Sequence, residues 1–316
     1  MPALKPVIHG INVTVLKTLF ESYNELRVTV KKEDMMRTIE ASQITAAVAK
    51  LAVDANYYLT DDIRAALEAG QEREESPLGK AILGQLVENA CIARDEQMPI
   101  CQDTGMTVIF MEIGQDVHIT GGNLEDAVNA GVAKGYTEGY LRKSVVMEPL
   151  FNRKNTGNNT PAVLHTSIVP GDKLKITLAP KGFGSENMST LKMFKPSDGL
   201  PAIRKFLVDT IFNAGSNPCP PIVVGIGIGG TMEKAALLAK KALLRPITKR
   251  NPHEEYAKLE QEFLELVNNT GVGPQGLGGR VTALAVNIEY YSTHIAGLPV
   301  AININCHATR HAEVEL

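Results

Sequence analysis

The spacing of apolar positions changes several times along the chain. From Met36 to about Tyr58, Ile39, Ile44, Val48 and Leu51 recur at near-helical intervals and predict a helix. Thr60 followed by Asp61 and Asp62 has the acidic first turn of a second helix. Ser76-Pro77 sets an N-cap residue and a first-turn proline at the start of a third. Leu83, Leu86, Val87, Ala90 and Cys91 would line one face of that third helix. The period changes at MPICQDTGMTVIFMEIG, where a loop marked by proline and glycine enters an apolar run suited to a buried strand. TPAVLHTSIV and KLKITLA then read as the two strands of a hairpin about Pro170-Gly171-Asp172. After the glycine-punctuated loop APKGFGSE, the stretch DGLPAIRKFLVDTIFNAG predicts a helix ending at Gly215. The strand IVVGIGIGG, the helix TMEKAALLAKKALL, and the strands RVTALAVNIEYY and LPVAININ follow. The expected fold is mixed α/β: a helical amino-terminal section, then a mixed sheet with packed helices.

Composition narrows the function classes. With 316 residues and 44% hydrophobic content the chain can fill a sizeable core. Its 32 basic and 35 acidic residues leave a formal charge of −3, so no global field attracts nucleic acid or an anionic membrane. An anionic ligand must be met by a local basic site. No apolar run reaches the roughly 18 residues of a membrane span, and no basic segment leads into an apolar stretch and a cleavage site at the amino terminus. A cytoplasmic protein is expected. Met1 to Asp34 carry no clear motif and are followed by the pair Met35-Met36, where a natural start could lie; residues 1–35 are read as an extension of unknown role.

The four cysteines are too few for a disulfide framework and form no CxxC pair, so a metal site would have to be built from distant loops. Cys91 belongs to an apolar helix face and reads as core. Cys101, Cys219 and Cys306 each stand at the edge of a predicted strand in a loop rich in proline, glycine or polar residues. Such loops can converge, and three converging thiolates suit a cubane iron–sulfur cluster with one iron left open. Each taken singly reads at least as readily as a small buried apolar side chain, so the spacing leaves both readings standing.

Gly225, Gly227 and Gly230 satisfy GxGxxG between a strand and a helix, the setting of a dinucleotide site. The pattern also requires a second strand ending in an acidic residue. Here the helix runs instead into LLRPITKRNPHEEY, which is basic and broken by Pro246 and Pro252. A nicotinamide-dependent oxidoreductase is therefore a distant alternative. The glycines are expected to permit close backbone packing beside the Cys219 loop.

Four segments in order resemble a known family: CQDTG at Cys101, NPCPPIVVGIGIGGTMEKAALLAKKALLRP around Cys219, GVGPQGLGG from Gly271, and STHIAGLPVAININCHATRH around Cys306. They are similar to the iron–sulfur fumarate hydratases and their L-tartrate dehydratase relatives, over residues 36 to 316, and to the alpha portion only. The resemblance implies a [4Fe-4S] cluster on Cys101, Cys219 and Cys306, held by loops at strand ends, with one iron lacking a protein ligand. It implies that Gln102 and Asp103 face the substrate, that Arg142 and His294 contact its carboxylates, and that Gly182 and Gly184 approach it by their backbone. Asp103 would move a proton or orient the group that does. Phe183 departs from the more glycine-rich family form of that loop. His307 could reach the cluster region or simply pack, and it is left outside the site.

The implied activity is reversible hydration of fumarate to (S)-malate by a hydro-lyase of the tricarboxylic acid cycle, because CHATRH and STHIAGLPVAIN look closer to the fumarases. The alternative is dehydration of L-tartrate to oxaloacetate. A beta subunit is expected to supply the remaining catalytic groups, including the general base, in an α2β2 assembly. A non-catalytic cluster-storage protein would not need Gln102, Asp103, Arg142 and His294 around the open iron.

Overall fold

The computed structural model describes residues 36–316; the amino-terminal extension read from the sequence lies outside them. Chain order begins with strand β1 (Arg37–Glu40) and helices α1 (Ala41–Tyr57), α2 (Asp61–Arg73) and α3 (Pro77–Asp95). The first helix thus starts later than its periodicity suggested. Residues Arg37 to Glu40 pair in parallel with β3 (Val117–Thr120), and this ladder claims their backbone groups before the helix can. Glu40 then caps α1, its N–H donating to Gln43 Oε1 at 2.9 Å. At α3 the Ser76 hydroxyl accepts the Gly79 N–H at 3.2 Å, the cap that Ser76-Pro77 announces. Ile82, Leu83, Ala90 and Ala93 are buried along α3, whereas Cys91 is half-buried.

Two four-stranded sheets form the body. The first orders as β10 (Ala312–Glu315), β5 (Leu174–Lys181), β2 (Met106–Gly114) and β4 (Val163–Val169). The expected hairpin of β4 with β5 does not form, because β2 lies between them, antiparallel to β5 and parallel to β4. Val108, Ile109 and Met111 of β2 are buried, while Thr166 to Ile168 of β4 are exposed, so the more apolar strand takes the inner place. The Pro170-Gly171-Asp172 turn passes over the end of β2, where Gln115 N–H donates to the Val169 carbonyl at 2.8 Å and Asp116 N–H to that of Gly171 at 3.0 Å. Helices α1 and α4 (Leu124–Glu138) cover this sheet, sharing a core with Ile109, Leu174, Ile176 and Leu178, and the one-turn helix α5 (Phe183–Glu186) follows β5.

The second sheet orders as β6 (Thr190–Phe194), β9 (Leu298–Asn305), β7 (Ile222–Gly229) and β8 (Ala283–Tyr291). Every residue of β7 is buried. Its even positions, Ile222 to Ile228, pack with helices α6 (Gly199–Ala214) and α8 (Glu254–Asn268) through Leu207, Ile211, Phe263 and Val267. Its odd positions Gly225 and Gly227 face helix α7 (Met232–Ala242). A Cβ on Gly225 would stand 2.1 Å from the Ala239 carbonyl oxygen, and one on Gly227 2.0 Å from that of Ala235. These glycines sit inside a strand and admit a helix backbone, so they are unavailable as a phosphate-binding turn. Their close packing is against α7 rather than the Cys219 loop.

Candidate active site

Four strand ends meet where the two sheets adjoin: the start of β2, the end of β5, the start of β7 and the end of β9. The registers Met106 with Lys181 and Val223 with Asn305 define the two pairs. Cys101 lies just before the first, Cys219 just before β7, and Cys306 just after β9. The three thiols are near enough for their charges to act on one another. Burial pushes the Cys219 thiol up, and Cys306 and Cys101 push it further. Burial likewise raises Cys306, against the opposing pull of Arg310.

Each cysteine loop is braced by backbone contacts. Ile100, beside Cys101, donates its N–H to the Asn56 carbonyl at 3.0 Å and accepts from Asn89 Nδ2 at 2.9 Å. The Tyr136 hydroxyl, fully buried, donates to the Thr104 carbonyl at 2.7 Å. Gly105 has φ +75°, and a Cβ there would meet the Lys181 backbone at 2.7 Å. Cys219, itself at φ +54°, accepts at its carbonyl the His307 N–H at 3.2 Å, with His307 Nδ1 also 3.2 Å away. Burial pushes the His307 ring below its ordinary value. Gln275, in the GVGPQGLGG loop, donates its side-chain amide to the Pro220 carbonyl at 2.7 Å.

Asp103 links two loops rather than pointing free into space. One oxygen accepts the Gly105 N–H at 3.0 Å and the other the Phe183 N–H at 2.9 Å. Gly182 packs beside that carboxylate, and Gly184 lies over the Asn217 carbonyl of the Cys219 loop. Gln102 is exposed, its Oε1 3.2 Å from the Cys101 sulfur. Arg142 is exposed and has no ion-pair partner among the described residues, while its carbonyl accepts the Thr104 hydroxyl at 3.1 Å. A cavity of about 680 Å³ is lined by Asp103, Gly105 and Phe183 together with Val145, Pro149 and Arg153.

His294 is not brought to this junction. It lies in the loop from β8 to β9, and β9 runs antiparallel to β7, so the whole of β9 separates it from Cys306. Eight extended residues hold those two ends of the sheet roughly 25 Å apart.

Two side chains that no sequence pattern singled out hold the junction together with Lys181. Lys181 is buried, donating to the Ile304 carbonyl at 2.8 Å and Ser185 Oγ at 2.9 Å, which ties β5 to β9. Glu186 stands 3.2 Å from its ammonium. Burial raises the Glu186 carboxyl, yet Lys181 and Lys240 outweigh that and hold it below its ordinary value. Gln275 and Arg310 are the other two. Their only trace in the sequence is a lone polar residue within an otherwise small-residue or loop motif.

Whether this junction suits an iron–sulfur cluster can be judged from its donors. Among the described residues no three His, Cys, Asp or Glu side chains are gathered tightly enough for a single metal ion. A larger group whose corners bind separate thiolates asks for a looser trio, which is what three cysteines on separate loops at one junction provide. The set contains soft sulfur donors and a buried cation, and it fits. Among the described residues no helix is long and apolar enough to cross a membrane.

Residues 45–315 match the family described as fumarate hydratase (fumerase). A Methanocaldococcus jannaschii protein provisionally named L(+)-tartrate dehydratase subunit alpha is 45% identical over 275 residues, covering 85% of this chain and 96% of that protein. The L(+)-tartrate dehydratase subunit alpha of Escherichia coli is 31% identical over 277 residues, covering 87% of this chain and 91% of its own length. With one family match across nearly all of the described residues and both relatives aligned over most of their length, the chain belongs to the fumarate hydratase (fumerase) family of hydro-lyases.

Proposed function

We propose that this chain is the cluster-bearing alpha subunit of a hydro-lyase that removes water from a small hydroxy-dicarboxylic acid, with L-tartrate as substrate and oxaloacetate as product. The observation that carries the reading is the convergence of Cys101, Cys219 and Cys306 on the junction of four strand ends. Fumarate with malate, favoured by the CHATRH ending, becomes the second reading, because both relatives are named as tartrate dehydratase subunits. Their designation as alpha subunits also supports a beta partner that completes the acid–base groups, in an α2β2 assembly.

Cys101, Cys219 and Cys306 would hold a [4Fe-4S] cluster, which when bound supplies a Lewis-acidic iron to the substrate hydroxyl. Elimination is slow in water because hydroxide leaves poorly and a proton alpha to a carboxylate is weakly acidic. Arg142 answers the second difficulty. Its unpaired guanidinium forks onto a carboxylate and steadies the charge that grows there. Its carbonyl accepts the Thr104 hydroxyl, so its backbone is tied to the loop that carries Cys101. Gln102 offers an amide to the substrate beside the first thiolate. Asp103 acts as an orienting group: with its oxygens bound to the Gly105 and Phe183 amides, it holds Phe183, between Gly182 and Gly184, at the pocket wall. His294 is given no part in the pocket of its own chain.

The test is anaerobic reconstitution of this chain with iron, sulfide and a candidate beta chain, followed by assays with L-tartrate and with malate. Turnover of L-tartrate above that of malate is expected. Faster turnover of malate or fumarate restores the second reading, and full activity without a partner removes the two-subunit assembly.

A further inference from the structure

Arg310 is a buried cation without an anion. Its side chain is 4% exposed, and no carboxylate among the described residues pairs with it. One Nη2 hydrogen bond goes to the Asp103 carbonyl. The Nε and Nη1 groups are buried and find no acceptor in the protein. A guanidinium cannot shed its proton to relieve this, and burying it unpaired costs several kcal/mol. Such a group persists where something negative compensates it.

Its position names that something. Arg310 follows Cys306 by four residues and reaches across to the carbonyl two residues beyond Cys101. The guanidinium therefore stands between two of the three cysteine loops, on the protein side of the junction. Three thiolates around a cubane cluster add up to net negative charge, and hydrogen bonds to sulfur together with local charge set its stability and potential.

We propose that Arg310 is a positioning residue for the cluster, its free N–H groups donating to sulfur at the Cys101–Cys306 side while its bond to Asp103 locks the CQDTG loop in register with Cys306. This rests on the cluster reading above. It differs from the role of Arg142, which is exposed and faces substrate: Arg310 is sealed from solvent and acts through the thiolates.

The experiment uses the full chain reconstituted anaerobically as wild type, Arg310→Lys, Arg310→Met and Cys306→Ser. Three quantities are read: iron content with visible absorption, the reduction potential by redox titration, and the rate of bleaching in air. Arg310→Met is expected to bleach roughly 10–100-fold faster than wild type, with its potential shifted downward, because a lost positive charge disfavours adding an electron. Arg310→Lys restores the charge but not the fork, and should hold a potential near wild type while bleaching at an intermediate rate. A methionine variant that loads, keeps the wild-type potential and bleaches no faster overturns the proposal. Should that variant fail to fold, pulsed EPR on reduced wild-type protein containing arginine labelled with heavy nitrogen decides. A nitrogen coupling to the cluster supports the donor role, and its absence refutes it. Failure of wild type itself to take up iron while Cys306→Ser behaves identically would instead remove the cluster reading, and this proposal with it.

Discussion

The two ends of the β7–β9 ladder differ sharply. At the cysteine end, Lys181 and Arg310 are each 4% exposed, and the backbone of every loop is bonded to a neighbour. At the other end, the loop of residues 292–297 leaves Ile295 91% exposed, and His294 bonds only within its own turn, accepting the Ala296 N–H at 3.2 Å. Both ends come from the single stretch STHIAGLPVAININCHATRH. What separates them is the extended backbone between. Residues that read as one motif are thus divided into a preorganised site and an exposed loop, and the density of side-chain bonds to backbone marks which is which.

The largest expected effect breaks the cysteine end outright. Replacing Cys101, Cys219 or Cys306 by serine should abolish the visible absorption and iron content of the reconstituted chain, whereas Cys91→Ser should leave both intact. A dependence on Cys91 with tolerance at one of the other three would reassign the ligands.

A smaller effect is expected where the same end is anchored from behind. Glu74 is buried and accepts the backbone N–H groups of Glu75, Ser76, Arg280 and Val281 at 2.9–3.0 Å, which fastens the loop carrying Gln275 to the turn between α2 and α3. Glu74→Ala strands those donors and should cost about 3 kcal/mol in urea unfolding, with faster hydrogen exchange over residues 273–281. Exchange left unchanged would show that the loop is held by other contacts.

Lys181 sharpens the contrast through pH. Burial pushes its ammonium down to about 8, whereas the unfolded chain keeps the proton to about 10.5. Between those values the unfolded state binds more protons, so this group's share of stability rises with pH across that window and is absent below it. Urea midpoints of the metal-free chain and of Lys181→Met, compared from pH 7 to 10, should diverge in favour of wild type as pH rises. Parallel curves would mean that Lys181 stays charged throughout.

The smallest effect belongs to the exposed end. His294→Ala should change stability by less than about 0.5 kcal/mol and leave cluster uptake as it was. Loss of visible absorption would show that this loop reaches the cysteines after all.

Much of the architecture was legible in local pattern. The cap at Ser76, the terminator Gly215 at φ +53°, and the apolar runs of β7, β8 and β9 all carry strong short-range signals. The elements that escaped, β1, β3, β6 and β10, are four or five residues long and owe their existence to a neighbouring strand. Helices α4 and α8 also escaped, α8 because the basic, proline-broken segment before it masked the stripe of Tyr256, Leu259, Phe263 and Val267. The β4–β5 pairing was misread for a related reason: a turn signal says that the chain reverses, but not that a third strand can enter between the two arms.

By itself, the sequence determined the family, with its hydro-lyase chemistry, and which side chains are candidates for it: three cysteines at strand edges and a Gln102-Asp103 pair beside one of them. Only the tertiary structure decided which of these share a place. It set Asp103 between two loops, left Arg142 unpaired, removed His294 to the far end of a sheet and buried Arg310 behind the thiolates. The physical reason is range. Capping, periodicity and turn chemistry act over a few residues and can be read along the chain, whereas strand order and the compensation of a buried charge depend on groups some 200 positions apart, as Arg310 and Asp103 are.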